Sequence, residues 1–310
     1  MDQRRIILVT RKTRLEGLVE RFNTREQAKF YLEHSGEDFS YYEREHEVYR
    51  VGLDILKAKL SRVGRLHVIE RSFLPTYLFA ADDLVVTLGI DGQVVNTAKY
   101  LDGQQLIAVN PDPVHIDGIL LPFRVDQAEA AARRALEGQA RTRPICMAEA
   151  RLADGQRLLA FNDFFVGAKS HVSARYQIKA GQFSERQSSS GIIVSTGVGA
   201  TGWLSSLFNM ATSLSAAFSP QPAALKPPAM QWDSEQLVFV VREPFISKTS
   251  SAGLVCGLIP AGEKLVVQSE MPSGGVIFSD GVENDFLAFN SGAIAEISLA
   301  QKKTLLVVGG

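Results

Sequence analysis

The chain has 310 residues, 45% apolar and 22% charged, with a formal net charge of −1. This is an ordinary globular composition with ample core, and its near-neutrality argues against a nucleic-acid binder driven by bulk positive charge. The length suits two domains or one large one. No run approaches the roughly 18 apolar residues of a membrane span. The opening MDQRRIILVTRK holds an apolar run too short for a signal sequence. Cys146 and Cys256 lack zinc or redox spacing and read as buried small apolar residues. The expected compartment is the cytoplasm.

Arg5–Thr10 (RIILVT) is an unbroken β-branched run that suits a central parallel strand. A polar segment follows. Asn23-Thr24-Arg25-Glu26 then opens a helix that closes near Gly36, and apolar spacing predicts a second helix over Glu43–Arg62. Strands are predicted at Leu66–Glu70, Leu84–Leu88 and Gln105–Asn110, with a helix over Gln93–Leu101. Strands alternating with helices imply a parallel sheet. After Pro122 and a helix at Gln127–Glu137 come short alternating strands with turn punctuation, which is antiparallel grammar. The fold class is therefore an α/β, doubly wound parallel-sheet domain over 1–124 and a mainly antiparallel β domain over 125–310. The Pro/Ala-rich Ser219–Met230 reads as a surface loop.

Four short stretches stand out. LGIDGQ ends a buried strand, and Gly89 and Gly92 permit positive φ and close approach of a ligand's phosphates. Asp91 between them is either the N-cap of the next helix or a group that accepts a hydroxyl proton or holds magnesium. STGVGATGWLSS, with Gly199, Thr201 and Trp203, is either a nucleotide cradle or a β-to-α turn with Trp203 in the core. Asn162-Asp163 is either a ribose-binding pair or a hairpin turn. Ser279-Asp280-Gly281 reads as a turn. His115 and His171 are isolated, so no metal-ligand set is legible.

The order of these motifs resembles the NAD kinases. The likeness is to the mitochondrial-type branch, carried by VNPDPVHIDGILLPF at 109–123, FNDFFVGAKSHVSARYQI at 161–178 and SSSGIIVSTGVGATGWLSS at 188–206. The early RKTRLEGLVERF has the look of that branch too. The resemblance implies an N-terminal α/β domain, a C-terminal β domain and an active site in the cleft between them. It also implies phosphoryl transfer from ATP, or polyphosphate, to the 2′-hydroxyl of the adenosine ribose of NAD, with Mg2+. The partners implied are NAD and a phosphoryl donor, with assembly as a homodimer or homotetramer and neither nucleic acid nor membrane.

On this resemblance Asp91 falls on the base of the G-G-D-G-T motif, and Asn162 and Asp163 on the NAD-binding pair. Thr201 and Trp203 fall on residues around the adenine, in the segment that also holds Gly199. Asn110 falls on an Asn after the fourth strand, and Asp280 on the late S-D-G. The turn reads GIDGQ where the family has GGDGT. If that second position needs positive φ, Ile90 is costly there. The expectation is that dinucleotide binding is retained, while the donor's phosphates are held differently or not at all. The alternatives are a catalytically silent NAD(P)-binding paralogue and a kinase of a lipid or sugar hydroxyl.

Overall fold

A computed structural model describes residues 4–309. Its elements begin with β1 (Arg5–Thr10), α1 (Arg14–Phe22), α2 (Arg25–His34), α3 (Phe39–Leu60), β2 (Arg65–Glu70) and β3 (Leu84–Leu88). They continue with α4 (Asp91–Ala98), β4 (Gln105–Asn110), β5 (Phe123–Arg124), α5 (Ala128–Leu136), β6 (Thr142–Leu152), β7 (Arg157–Ala160) and β8 (Asp163–Ala168). Next are β9 (Ala174–Ala180), β10 (Phe183–Ser189), β11 (Ile192–Ser195), α6 (Trp203–Phe218), β12 (Gln236–Val241) and β13 (Cys256–Pro260). The last are β14 (Leu265–Ser269), β15 (Gly275–Ser279), β16 (Val282–Ala288) and β17 (Ile294–Val307). The chain divides into two compact units, one running to Arg143 and rejoined from Thr304, the other spanning Pro144–Lys303.

In the first unit the strands lie parallel in the order β2-β1-β3-β4. The apolar runs of β1 and β3 are buried on both faces, as central parallel strands require. Tyr49, Leu53, Leu56 and Leu60 of α3 pack on one face with the alanines of α5. The division expected at residue 124 falls ahead of α5, whose small side chains fill this core and tie the helix to the first unit. Near its end, β17 lays Leu305 and Leu306 parallel to β4.

The segment read as merely polar contains α1. Its start is fixed by a capping box: the Thr13 hydroxyl accepts from the Glu16 amide, and the Glu16 carboxylate accepts from the Thr13 amide. Its apolar residues Leu15, Leu18, Val19 and Phe22 also follow helical spacing, so the amphipathic pattern was present in the sequence.

The second unit packs two antiparallel sheets. One contains β10-β9-β14 and the first residues of β17, and the other is β13-β12-β11-β8-β15-β16. Alternate residues such as Phe164, Val166, Tyr176, Ile178, Val194 and Phe239 point into one shared core. The opposite face of the second sheet carries Phe165, Ile193 and Val276, with Trp203 and Leu207 of α6 packed against them. Cys146 is buried, with Sγ 3.4 Å from the Asp233 carbonyl oxygen. Cys256 is exposed, against expectation, because it opens the edge strand β13. Ser219–Met230 has no regular structure, as expected. Among the described residues no helix is long and apolar enough to cross a membrane.

Leu306 is fully buried in the returning strand. Leu306→Ala is expected to lower stability by about 2–5 kcal/mol in urea unfolding. A loss below about 1 kcal/mol would mean that this strand is not part of the first unit's core.

Candidate functional site

In the first unit β1, β3 and β4 run parallel, so their carboxyl ends share one edge, the usual ligand edge of an α/β sheet. The turn after β3 lies there. Neither Gly89 nor Gly92 has positive φ, contrary to expectation. Ile90 is extended, at φ −102° and ψ 171°, so a β-branched residue sits there without strain. Gly89 instead leaves space that its neighbours crowd. A Cβ there would lie 3.1 Å from Cβ of Gln93 and 3.4 Å from Nε of Arg11. Around Gly92 there is room.

Asp91 is the first residue of α4 and not its cap, and Ile90 at the cap position supplies no side-chain bond. The Asp91 carboxylate accepts the Leu120 amide through Oδ1 at 2.7 Å. Oδ2 receives no hydrogen bond from a described residue.

Gln93 is wholly buried. Its Nε2 donates to the carbonyl of Thr10 at 3.3 Å, tying α4 to the end of β1. Among the described residues two buried polar atoms of this region have no partner, Gln93 Oε1 and, beside Gly89, Arg11 Nε. Asn110 is committed to its own loop: Oδ1 accepts from the Asp112 amide and Nδ2 donates to the Ile116 carbonyl, each at 2.9 Å. Gly118, at φ +61°, leaves that amide room, since a Cβ there would come within 2.8 Å of Nδ2.

The second unit gathers another group of predicted residues. Asn162 and Asp163 do not form a hairpin. They carry the chain from β7, paired with β6, to β8, paired with β11 and β15. Asp280 and Gly281 form the two-residue turn between β15 and β16, both with positive φ, the geometry that an Asp-Gly pair favours. The Asp280 carboxylate turns inward and accepts the amides of Phe161 at 3.1 Å, Asn162 at 2.6 Å and Asp163 at 3.3 Å. From the other side the Asn162 carbonyl accepts the Thr196 amide at 2.9 Å, and the Thr196 hydroxyl donates to the Phe161 carbonyl at 2.6 Å.

Two glycines of the STGVGATG turn are required by close approach. A Cβ on Gly199 would stand 2.1 Å from the Asn162 oxygen, and one on Gly197 1.8 Å from the Gln231 oxygen. Thr201 is exposed. Trp203 stacks on Phe165, with centroids 6.0 Å apart and planes 6° from parallel, and the Arg242 guanidinium lies over its ring.

Held this way, the Asn162 amide and the Asp163 carboxyl make no side-chain hydrogen bond with any described residue. Asp163 is 8% exposed. Burial, aided by the charge of Asp280, raises its pKa from 3.8 to about 7. The pair therefore offers a donor and an acceptor suited to a ribose or a base. Thr196 and Arg11 lie in stretches the sequence singles out, but their contacts were not foreseen, because those with Phe161, Asn162 and Glu45 come from residues distant in the chain.

No family model matches the chain, and no curated protein matches its sequence. Solved structures do match in fold. Yeast NADH kinase complexed with NADH aligns with a TM-score of 0.59 at 14% identity, covering 100% of this chain and 85% of that one. An NAD kinase from Archaeoglobus fulgidus in complex with ATP aligns at 0.56 and 14% identity, covering 97% and 93%. The chain thus has an NAD kinase-like fold: a parallel sheet with helices in the N-terminal part and an antiparallel C-terminal part.

The raised pKa of Asp163 carries a sign. Between its unfolded and folded values the folded state holds a proton that the unfolded chain has released. Stability therefore falls as pH rises through that window, and the penalty is complete above about pH 7. Asp163→Asn is expected to raise the melting temperature by several degrees at about pH 8 and hardly at about pH 4. An equal effect at both would show that burial does not hold the proton on this group.

Proposed function

We propose that the protein is a phosphotransferase of the NAD kinase type, related to its mitochondrial branch. It transfers a phosphoryl group from ATP or polyphosphate to the 2′-hydroxyl of the adenosine ribose of NAD, giving NADP. The observation that carries this reading is Asp91. Its carboxylate is fixed at the carboxyl end of β3 by the Leu120 amide, with the second oxygen unengaged by any described residue. A secondary hydroxyl is a weak nucleophile, and a fixed carboxylate can orient it and take its proton. Asn162 and Asp163 are assigned to the dinucleotide, as are Gly199, Thr201 and Trp203. Asp280 acts by positioning the pair. Asn110 acts by shaping its loop. We assign the working form to a homodimer or homotetramer.

Among the described residues no three His, Cys, Asp or Glu side chains gather as a metal-ligand set. A magnesium ion would be brought by the donor's phosphates, with Asp91 the carboxylate at the turn to meet it. Bound there, it would supply counter-charge to the transferring phosphate. The protein's own share is to orient the hydroxyl, remove its proton and hold the two substrates.

A second reading, a silent dinucleotide binder, is favoured by Gln93. It fills the space behind Gly89 and presents no hydroxyl to a donor. The two readings separate in one assay of NADP formation from NAD, with ATP or polyphosphate and magnesium. Turnover that falls at least ~10²-fold in Asp91→Asn, with NAD affinity little changed, is the expected result. Undiminished turnover in that variant would remove Asp91 from the base role. NAD binding with no turnover on any donor would favour the silent binder. In calorimetry Asn162→Ala is expected to weaken NAD binding by about tenfold, the loss of one buried hydrogen bond. Unchanged affinity would take Asn162 out of the site.

A further inference from the structure

Beside the turn, and within the first unit, lies a cavity of about 50 Å³. Its wall includes Ile90 of the turn, Arg11 from the end of β1, Arg14 of α1, and Tyr41, Arg44 and Glu45 of α3. Asp112 and His115 from the loop after β4 line it too. Three guanidiniums thus face two carboxylates, and both carboxylates are already engaged. Glu45 accepts Arg11 through Oε1 at 2.7 Å and Arg14 through Oε2 at 2.9 Å. Asp112 stands 2.9 Å from Nδ1 of His115.

Arg44 makes no ion pair or hydrogen bond with a described residue; it lies over the Tyr41 ring, 5.3 Å from its centroid, and its charge also reaches Asp38. Arg11 is held in a low-dielectric place, its side chain 9% exposed. Its amide is fixed by the Tyr49 hydroxyl at 2.9 Å, and its Nε is buried without a partner next to Gly89. A buried donor left unpaired is rare in a finished structure and marks a place where something else completes the bonding.

We propose that this pocket receives the terminal phosphate group of the phosphoryl donor. The size fits: about 50 Å³ holds roughly three or four waters, which suits one tetrahedral phosphate and no nucleoside. The charge fits, since guanidiniums match phosphate oxygens in pairs. The position fits as well, because Ile90 lines the pocket and Asp91 follows it in the chain. The role assigned to the phosphate rests on the phosphotransferase reading. The pocket would also explain how a GIDGQ turn, with no lysine and no threonine hydroxyl, holds a donor. Arg14 and Arg44 from the helices supply what the turn lacks.

Two variants of the full chain test this, Arg44→Glu and Arg14→Ala, checked for folding by circular dichroism. Inorganic tripolyphosphate, ATP and NAD are titrated separately by calorimetry. The expected result is that both variants bind tripolyphosphate and ATP about tenfold more weakly or worse, with NAD affinity unchanged. Unchanged tripolyphosphate affinity in both variants, or no binding to the unaltered protein, overturns the proposal. An equal loss of NAD affinity overturns it too, because the pocket would then serve the dinucleotide's diphosphate. Failure of the kinase reading looks different: tripolyphosphate binds, the arginine variants weaken it, and no NADP forms.

Discussion

One carboxylate, that of Asp280, receives three consecutive backbone amides from Phe161, Asn162 and Asp163. The geometry of the second unit's site depends on that contact. Where the chain leaves one sheet for the other, its amides at 161 and 162 belong to neither ladder, and buried amides must be paired. A charged acceptor is the strongest available partner. Asp280 can reach it because an Asp-Gly pair with two positive φ angles turns the hairpin back on itself. From the opposite side the Thr196 amide and hydroxyl hold the carbonyls of the same segment. Clamped on both sides, the segment displays its Asn and Asp side chains without hydrogen-bond partners among the described residues. The same clamp puts a negative charge near Asp163, which adds to the larger effect of burial in raising its pKa.

The first unit meets a comparable demand by packing. Gly89 lacks a Cβ, so Gln93 can lie against it and bond to the carbonyls at the end of β1. This ties the start of α4 to the neighbouring strand. It sets the direction in which Asp91 presents its carboxylate, and the Leu120 amide completes the placement. The residue that differs from the resembled motif at this point is part of the scaffold. A threonine is too short to span from α4 to β1 in this way. Ile90 adds no strain, because its extended backbone suits a β-branched side chain. The altered turn is thus coherent in itself, with a basic pocket on one side and a buried glutamine on the other.

Much of this was legible in the residues. Apolar runs with no alternation announced the parallel strands, and alternating ones the antiparallel strands. The motifs picked out as sites, Asp91, Asn162-Asp163, the Gly-rich turn and Asp280, all sit in turns or at strand ends. What the sequence alone determined was local: strand or helix, the Asp-Gly turn, and which residue types were available for chemistry. Periodicity and turn propensity act over a few neighbours, and those neighbours are adjacent in the chain. The tertiary structure decided what lies far apart in sequence. It turned Asp280 from a surface turn residue into a backbone clamp 117 positions from Asp163. It gave Gly197 and Gly199 a role in close approach, and brought Arg11, Arg14 and Arg44 to one cavity. None of these carries a local signature, because a buried amide or an empty space is defined by whichever segment folds against it.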